Sequence, residues 1–207
     1  FNGWEMTPDY RRWEENVRYL EGRAYGAELM AQRLGGRTTG WVNYTLSWSE
    51  RRFADGGRPF PAKFDSRHAV NLVARHRFSD RFDMGVMWTF NSGYRSTQPL
   101  EFYNAPSALP GGERLSVPSP VYHYDRPNNM KTPAYHRLDL SFNFHRARKR
   151  GVSTWSVFLY NAYCRLNPVG VDHDIFATGG NVPVYHFYFY KDWAVPLIPS
   201  FSYTFTF

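Results

Sequence analysis

From Gly22 onward, apolar and polar residues alternate with a period of two, the spacing of strands with two unlike faces. Tyr25, Ala27, Leu29 and Ala31 fall on one side; Gly26, Glu28, Met30 and Gln32 fall on the other. Gly35-Gly36 then reads as a tight hairpin turn in which both residues can take positive φ. In the next strand Val42, Tyr44, Leu46 and Trp48 oppose Asn43, Thr45 and Ser47. A polar segment over 50–66 carries Asp55-Gly56-Gly57, Pro59 and Pro61.

The alternation then returns. Val70, Leu72 and Ala74 oppose Asn71 and Arg75, and a short turn at Ser79-Asp80 follows. Phe82, Met84, Val86, Trp88 and Phe90 oppose Asp83, Gly85, Thr89 and Asn91. A proline-rich stretch covers 93–134. Beyond it Leu138, Leu140, Phe142 and Phe144 oppose Asp139, Ser141, Asn143 and His145. The basic turn 146–151 leads to Trp155, Val157 and Leu159, with Phe158 and Tyr160 on the opposite side. A further loop over 165–183 precedes the last segment, where Phe201, Tyr203, Phe205 and Phe207 oppose Ser202, Thr204 and Thr206. Pro196 and Pro199 lack ladder donors and are expected toward one rim of that last strand. Seven strands and no helix are predicted, preceded by a loop end over 1–21 with at most one helical turn.

Loop length sorts by parity. The turns near 35, 80 and 148 are short, and the segments 50–66, 93–134 and 165–183 are long. Outer-membrane barrels have short periplasmic turns and long outer loops, whereas a soluble meander has no reason for such sorting. A structureless loop of the 93–134 kind also counts against a compact soluble domain. One strand face carries Asn, Thr, Ser, Glu, Asp and Arg, as a wet lumen requires. The other carries Leu, Val, Phe and Met, with Trp41, Trp48, Trp88 and Trp155 expected near strand ends as an interfacial girdle. A soluble sandwich with one solvated face alternates in the same way, so alternation alone does not choose between them. Loop parity favours an all-β transmembrane antiparallel barrel.

Composition narrows the field further. The 207 residues include 17 Phe, 15 Tyr and 7 Trp, yet total hydrophobic content is 43% and mean hydropathy is -0.56. Disordered chains are poor in aromatics, and no apolar run approaches the roughly 20 residues of a membrane helix. A single cysteine excludes an internal disulfide framework, and Cys164, set in an aromatic run, is expected to be a buried inert thiol. The net charge of +7 permits contact with nucleic acid, anionic lipid or acidic ligands. A single-strand nucleic-acid binder interleaves aromatics with arginine on one face. Here the aromatics sit mostly opposite the polar residues, so no nucleic-acid partner is expected. Arg146, Arg148, Lys149 and Arg150 are read as a solvated turn.

Chemistry-bearing clusters are sparse. Asp172-His173-Asp174 is the best metal-like triplet, but extended neighbours point opposite ways and no second cluster accompanies it. No G-x-S-x-G or other nucleophile setting is present. Neither catalysis, a metal nor a cofactor is expected. Tyr94, Tyr103, Tyr122 and Tyr124 in the long segment are candidate substrate contacts, because aromatic rings stack on sugars and planar ligands at low entropic cost. A self-packed loop accounts for them equally well. His68 and His136 begin strands at the same rim and are read as rim hydrogen-bonders with possible ligand contact.

Several segments resemble, in family order, the barrel of TonB-dependent outer-membrane receptors. Gly22-Arg23-Ala24-Tyr25-Gly26-Ala27-Glu28-Leu29 is similar to the strand start G-x-x-Y-G-x-E-L, and Gly40-Trp41-Val42-Asn43-Tyr44-Thr45-Leu46-Ser47 to G-W-x-x-Y-T-x-S. The stretch from Pro61 through Asp65, Arg67 and His68 resembles the strand entry P-x-x-x-D-x-R-H of these barrels. Pro133-Ala134-Tyr135-His136-Arg137-Leu138-Asp139 resembles P-x-Y-x-R-L-D. Tyr160-Asn161 with Asn167-Pro168 matches Y-N-x-x-N-x-x-N-P, except that Cys164 replaces the usual Asn. The ending Tyr203, Phe205, Phe207 resembles the signal read by the barrel assembly machinery. Loop and ending style is nearest to receptors of Bacteroidetes-type bacteria.

The resemblance implies a fold and an activity. Residues 22–207 would supply about seven C-terminal strands of a 22-stranded, plugged barrel. The family takes up scarce, bulky solutes such as siderophores, cobalamin, oligosaccharides or peptides. Its partners are the rest of the barrel and the plug, the TonB complex reached through that plug, and outer-membrane lipids. A non-transporting barrel module that docks a surface lipoprotein or secretion partner is the alternative. Nothing in these residues resembles plug or coupling segment. A periplasmic C-terminus makes the last strand run inward, and six connections earlier the first strand runs inward too. Seven strands leave two unpaired edges in lipid, so completion by further polypeptide is expected. The absence of Met, basic region and apolar region at Phe1 fits either a removed leader or a start inside a longer protein.

Overall fold

The computed structural model describes residues 18–104, 120–179 and 184–207. Among them there is no helix, and they form an all-β structure whose strand pairs are all antiparallel. Seven long strands form one sheet: β1 (Leu20–Arg33), β2 (Thr38–Phe53), β4 (His68–Ser79), β5 (Phe82–Asn91), β10 (Tyr135–Arg148), β11 (Gly151–Tyr160) and β14 (Ile198–Thr206). They lie in the sheet in chain order, and β3 (Phe60–Pro61) adds a short pairing to β2. Three small hairpin elements stand apart. They pair β6 (Arg95–Ser96) with β9 (Met130–Lys131), β7 (Glu101–Asn104) with β8 (Pro120–His123), and β12 (Pro168–Thr178) with β13 (Val184–Trp193).

The parity of connection lengths is as predicted. Residues 34–37, 80–81 and 149–150 turn the chain at one end; 54–67, 92–134 and 161–197 return it at the other. In the first turn only Gly36 takes positive φ, at 88°, so one glycine suffices where two were expected. The third long connection is longer than expected. Residues 184–193 belong to a separate hairpin, Pro196 lies outside any strand, and β14 starts at Ile198 with Pro199 opposite Leu159. In that hairpin β12 contains the Asp172-His173-Asp174 triplet, which lies on a strand and not in a loop. Alternation within 171–176 is that of a strand, but flanking prolines and glycines masked it.

Register settles the two faces. Leu29↔Tyr44, Val42↔Leu72, Leu72↔Trp88, Leu138↔Trp88, Leu140↔Leu159 and Val157↔Phe201 place the apolar sets of all seven strands on a single side. Opposite-facing pairs such as Asn43↔Asn71, Asn71↔Thr89, Asn143↔Asp83 and Asn143↔Ser156 make the other side polar. Trp41 pairs with Val73 and Gln32 and thus belongs to the polar side, not to an apolar girdle. The reason is parity: Trp41 adjoins Val42, and adjacent strand residues face opposite ways. Trp155 sits mid-strand between Phe144 and Tyr203 rather than at an end.

Burial is inverted relative to a water-soluble domain. Among the described residues the buried apolar side chains are Phe60, Ala62 and Pro99, while buried polar ones include Asp65, Asp83, Gln98, Asp139, Asn161 and Asn167. Leu29, Trp155 and Phe201 on the apolar side are 70%, 59% and 75% exposed. A broad exposed apolar surface and buried polar groups are the informative departures from ordinary burial. The sheet is open among the described residues: β1 and β14 each have a neighbour on one side only.

Candidate functional site

The polar side of the sheet is organised around two buried aspartates. Near the short turns, Asp83 on β5 accepts from Arg75 Nε and Nη2 (3.0 and 2.6 Å) and from Asn143 Nδ2 (2.8 Å), and lies 2.6 Å from His145 Nε2. His145 Nδ1 reaches Thr154 Oγ1, and Ser156 donates to Asn143. One carboxylate therefore ties β4, β5 and β10 together, with β11 joined through the second nitrogen of the His145 ring and through Asn143. Such short charge-assisted bonds are the strong kind, and their alternating positions face one way only because the strand period is two.

At the long-connection end Asp139 ties β10 to the turn that follows β11. It accepts from Arg137 Nε (3.0 Å) and from the backbone N–H of Asn161 (2.9 Å). Arg137 also donates to the hydroxyls of Tyr135 and Tyr160. Asn161 donates through Nδ2 to Arg165 O (2.8 Å), and Asn167 bonds His136 through both backbone groups, N to Oδ1 (3.0 Å) and Nδ2 to O (2.8 Å). The P-x-Y-x-R-L-D segment and the Y-N…N-P segment, distant in sequence, thus form one polar knot. They hold the base of the third long connection.

Cys164 belongs to this knot and corrects the sequence reading. It is exposed, not buried, and takes the left-handed conformation with φ 54°. Apolar neighbours in sequence suggested burial, but the tight turn after Asn161 points them outward. Non-glycine residues pay about 1 kcal/mol or more in this region, and Asn pays less than most. Cys164→Asn is therefore expected to stabilise the protein by about 1 kcal/mol, read as a higher denaturant midpoint with unchanged slope. A lower midpoint would count against this account of the turn.

The three long connections latch onto each other. Gln98 is buried; it donates to Val171 O (2.6 Å) and lies 2.9 Å from His173 Nδ1. Asn129 brackets Gln98 by accepting from its N–H and donating to its carbonyl. Asn128, with φ 56°, donates to Pro61 O (2.8 Å). Gly93, with φ 90°, starts the second connection, and a Cβ there would stand 2.1 Å from Thr132 O. Its lack of a side chain lets the two ends of that connection pass.

Under these latches lies a cleft of ≈ 850 Å³. Phe53 and Phe60 form its floor with ring centroids 5.3 Å apart, both on the polar side by their register with Leu20 and Arg51. The Arg18 guanidinium sits 4.4 Å from the Phe53 ring centre and pairs with Asp55. Arg58, Tyr124, Asp125 and Arg126 complete the lining that carries chemistry. Burial, with neighbouring Tyr122, pushes the Tyr124 hydroxyl pKa up, so it remains a neutral donor. The Asn129 amide holds the Asp125 carboxyl below its ordinary range, so it remains ionised.

The sequence-selected contacts do not converge. Tyr122 and Tyr124 are neighbours at 6.4 Å, and Tyr122 meets the His173 ring edge-on at 5.0 Å. Tyr124 alone of the four tyrosines lines the cleft. Tyr103 is exposed on β7, on the side opposite Phe102, and Tyr94 packs edge-on against Phe64. His68 and His136 lie on the apolar side by parity, bonded to the hydroxyls of Tyr44 (2.9 Å) and Tyr163 (2.6 Å). Tyr203 and Phe205 face the apolar side of β14, and Phe207 extends past its end. In the Asp172-His173-Asp174 triplet, His173 turns inward to Gln98 while both aspartates are exposed.

Arg58, Arg126, Phe53 and Phe60 were not singled out from the sequence. Arg58 and Arg126 lie in turn-rich segments without periodicity, Phe53 and Phe60 lie at strand ends beside the first long connection, and only chain folding unites them. No family model, curated protein or solved structure matches this chain, so its classification rests on the residues and geometry above.

Proposed function

We propose that this chain is the C-terminal section of a TonB-dependent outer-membrane receptor, supplying barrel wall and outer loops for uptake of a bulky, scarce solute. The supporting observation is the inverted burial of a sheet whose every long strand has at least the 9 residues of β14. A tilted membrane strand needs about 9–11 residues. In this reading the apolar side meets lipid, the polar side lines the lumen, and the short turns are periplasmic. The edges of β1 and β14 then pair with the rest of the barrel, since each unpaired backbone group in lipid costs several kcal/mol. The plug, and the TonB complex acting through it, are the implied partners. Within this section binding groups line the path and nothing is catalysed.

A second reading, a module that docks a surface lipoprotein, gains from the exposed aromatic side of the β12–β13 hairpin, which carries Phe176, Tyr188 and Tyr190. One experiment separates the two. Cells with and without the gene for the full protein are assayed for uptake of labelled cobalamin, ferric siderophores, oligosaccharides and peptides. Transport predicts that one uptake is lost on deletion and equally lost when TonB is deleted. Recovery of the protein from the soluble fraction would sink both readings. Outer-membrane location with every uptake intact would favour docking.

A further inference from the structure

Resting on the uptake reading, we infer that the cleft between the first two long connections binds an organic anion bearing a planar ring. The inference comes from a juxtaposition: three arginines gather around an aromatic floor. Arg18, Arg58 and Arg126 line the cleft against a single lining carboxylate, Asp125. Their availability differs. Arg18 is paired with Asp55, and Arg126 approaches Asp125 only at 3.7 Å. Arg58 has no ion pair among the described residues. Guanidinium groups with free donors recognise carboxylates, sulfonates and phosphates through paired N–H bonds.

The floor selects the rest of the ligand. Phe53 and Phe60 put their rings on the polar side, Phe60 packed under its neighbours at 5% exposure, and Tyr124 lines the cleft from the second connection. The Arg18 guanidinium already covers the Phe53 ring at 4.4 Å, so a planar anion layers on that guanidinium, whereas a planar cation is repelled by it. A volume of ≈ 850 Å³ suits a ligand of small-molecule size. The anionic headgroup of a surrounding lipid is disfavoured as occupant, because the floor residues lie on the side opposite the apolar face.

The probe is pyranine, a pyrene carrying three sulfonates, titrated by fluorescence into the full-length protein in detergent. Comparators are a pyrene with one quaternary ammonium and the non-planar trianion citrate. Pyranine binds; the cationic pyrene does not; citrate competes weakly. Arg58→Gln and Arg126→Gln each weaken pyranine on the order of ten-fold, the loss of one charge-assisted contact. Phe53→Leu weakens pyranine but leaves citrate unchanged. Arg81→Gln, in a short turn at the opposite end, changes neither.

Three results would overturn the assignment: equal binding of the cationic pyrene, unchanged affinity in a folded Arg58→Gln/Arg126→Gln double variant, or stoichiometric displacement by lipopolysaccharide. The last would assign the cleft to a lipid headgroup. Retention of heat-modifiable gel mobility identifies folded variants. If TonB-dependent uptake persists while pyranine neither binds nor competes, the ligand class is wrong and the transport reading stands. If pyranine binds protein from cells without such uptake, the reverse holds.

Discussion

If the apolar side faces lipid as proposed, Leu140→Arg is expected to cost about 2–4 kcal/mol of folding free energy in bilayers, the cost of a cation at mid-membrane depth. Leu140 sits on the apolar side of β10 between Val86 and Leu159. Ser141→Arg, one residue on, is expected to cost well under 1 kcal/mol, because surface-type substitutions into solvated space are usually near neutral. Its side chain faces the polar side, where Gly85 opposite leaves a recess of ≈ 250 Å³. Phe144→Arg, nearer the short turns, should cost about 0–1 kcal/mol from the lipid itself, besides the lost ring contact with Phe82. Chemical denaturation from lipid vesicles measures all three. A soluble layered protein predicts no depth dependence, so equal penalties at positions 140 and 144 would reject the lipid-facing assignment.

Asp139→Ala is expected to be comparably severe, about 3–5 kcal/mol, the range for breaking a buried ion pair by removing one partner. Asp139 is 2% exposed, and its loss strands the Arg137 guanidinium and the Asn161 N–H together. Asp139→Asn keeps an acceptor for Asn161 and loses only the charge. It should cost about 1.5–3 kcal/mol, the worth of a hydrogen bond to a charged group. The ordering Ala worse than Asn, seen as successive drops in denaturant midpoint, is the check. Equal effects would mean that the charge contributes nothing and packing alone is lost.

Much of the sheet was legible because its information is local. Leu138, Leu140, Phe142 and Phe144 alternate with Asp139, Ser141 and Asn143 within a single strand, and turn signals bracket them. Parity of loop length was equally visible. The failures fall where local signals compete. Trp41 was read by residue type instead of by its place beside Val42. Cys164 was read by its neighbours instead of by the turn that Asn161 starts. The β12–β13 hairpin was merged partly into a loop, since proline and glycine at its ends outweighed its alternation.

The candidate site was the least legible part. Tyr124 lines the cleft, whereas Tyr94, Tyr103, Tyr122, His68 and His136 do not. The arginines and phenylalanines that line the cleft come from three separate stretches, around residue 18, 53–60 and 124–126.

By itself, the sequence determined that the chain is all-β, which residues share a face, and where the short and long connections lie. These follow from backbone geometry: alternation of side chains is a property of each strand taken alone. Only the tertiary structure decided that Asp83 ties β4, β5 and β10, that Asp139 ties β10 to the turn after β11, that Gln98 and Asn128 latch the long connections, and that a basic cleft with aromatic lining results. Those outcomes depend on strand register and loop packing. They bring together residues dozens of positions apart, and no local periodicity encodes such meetings.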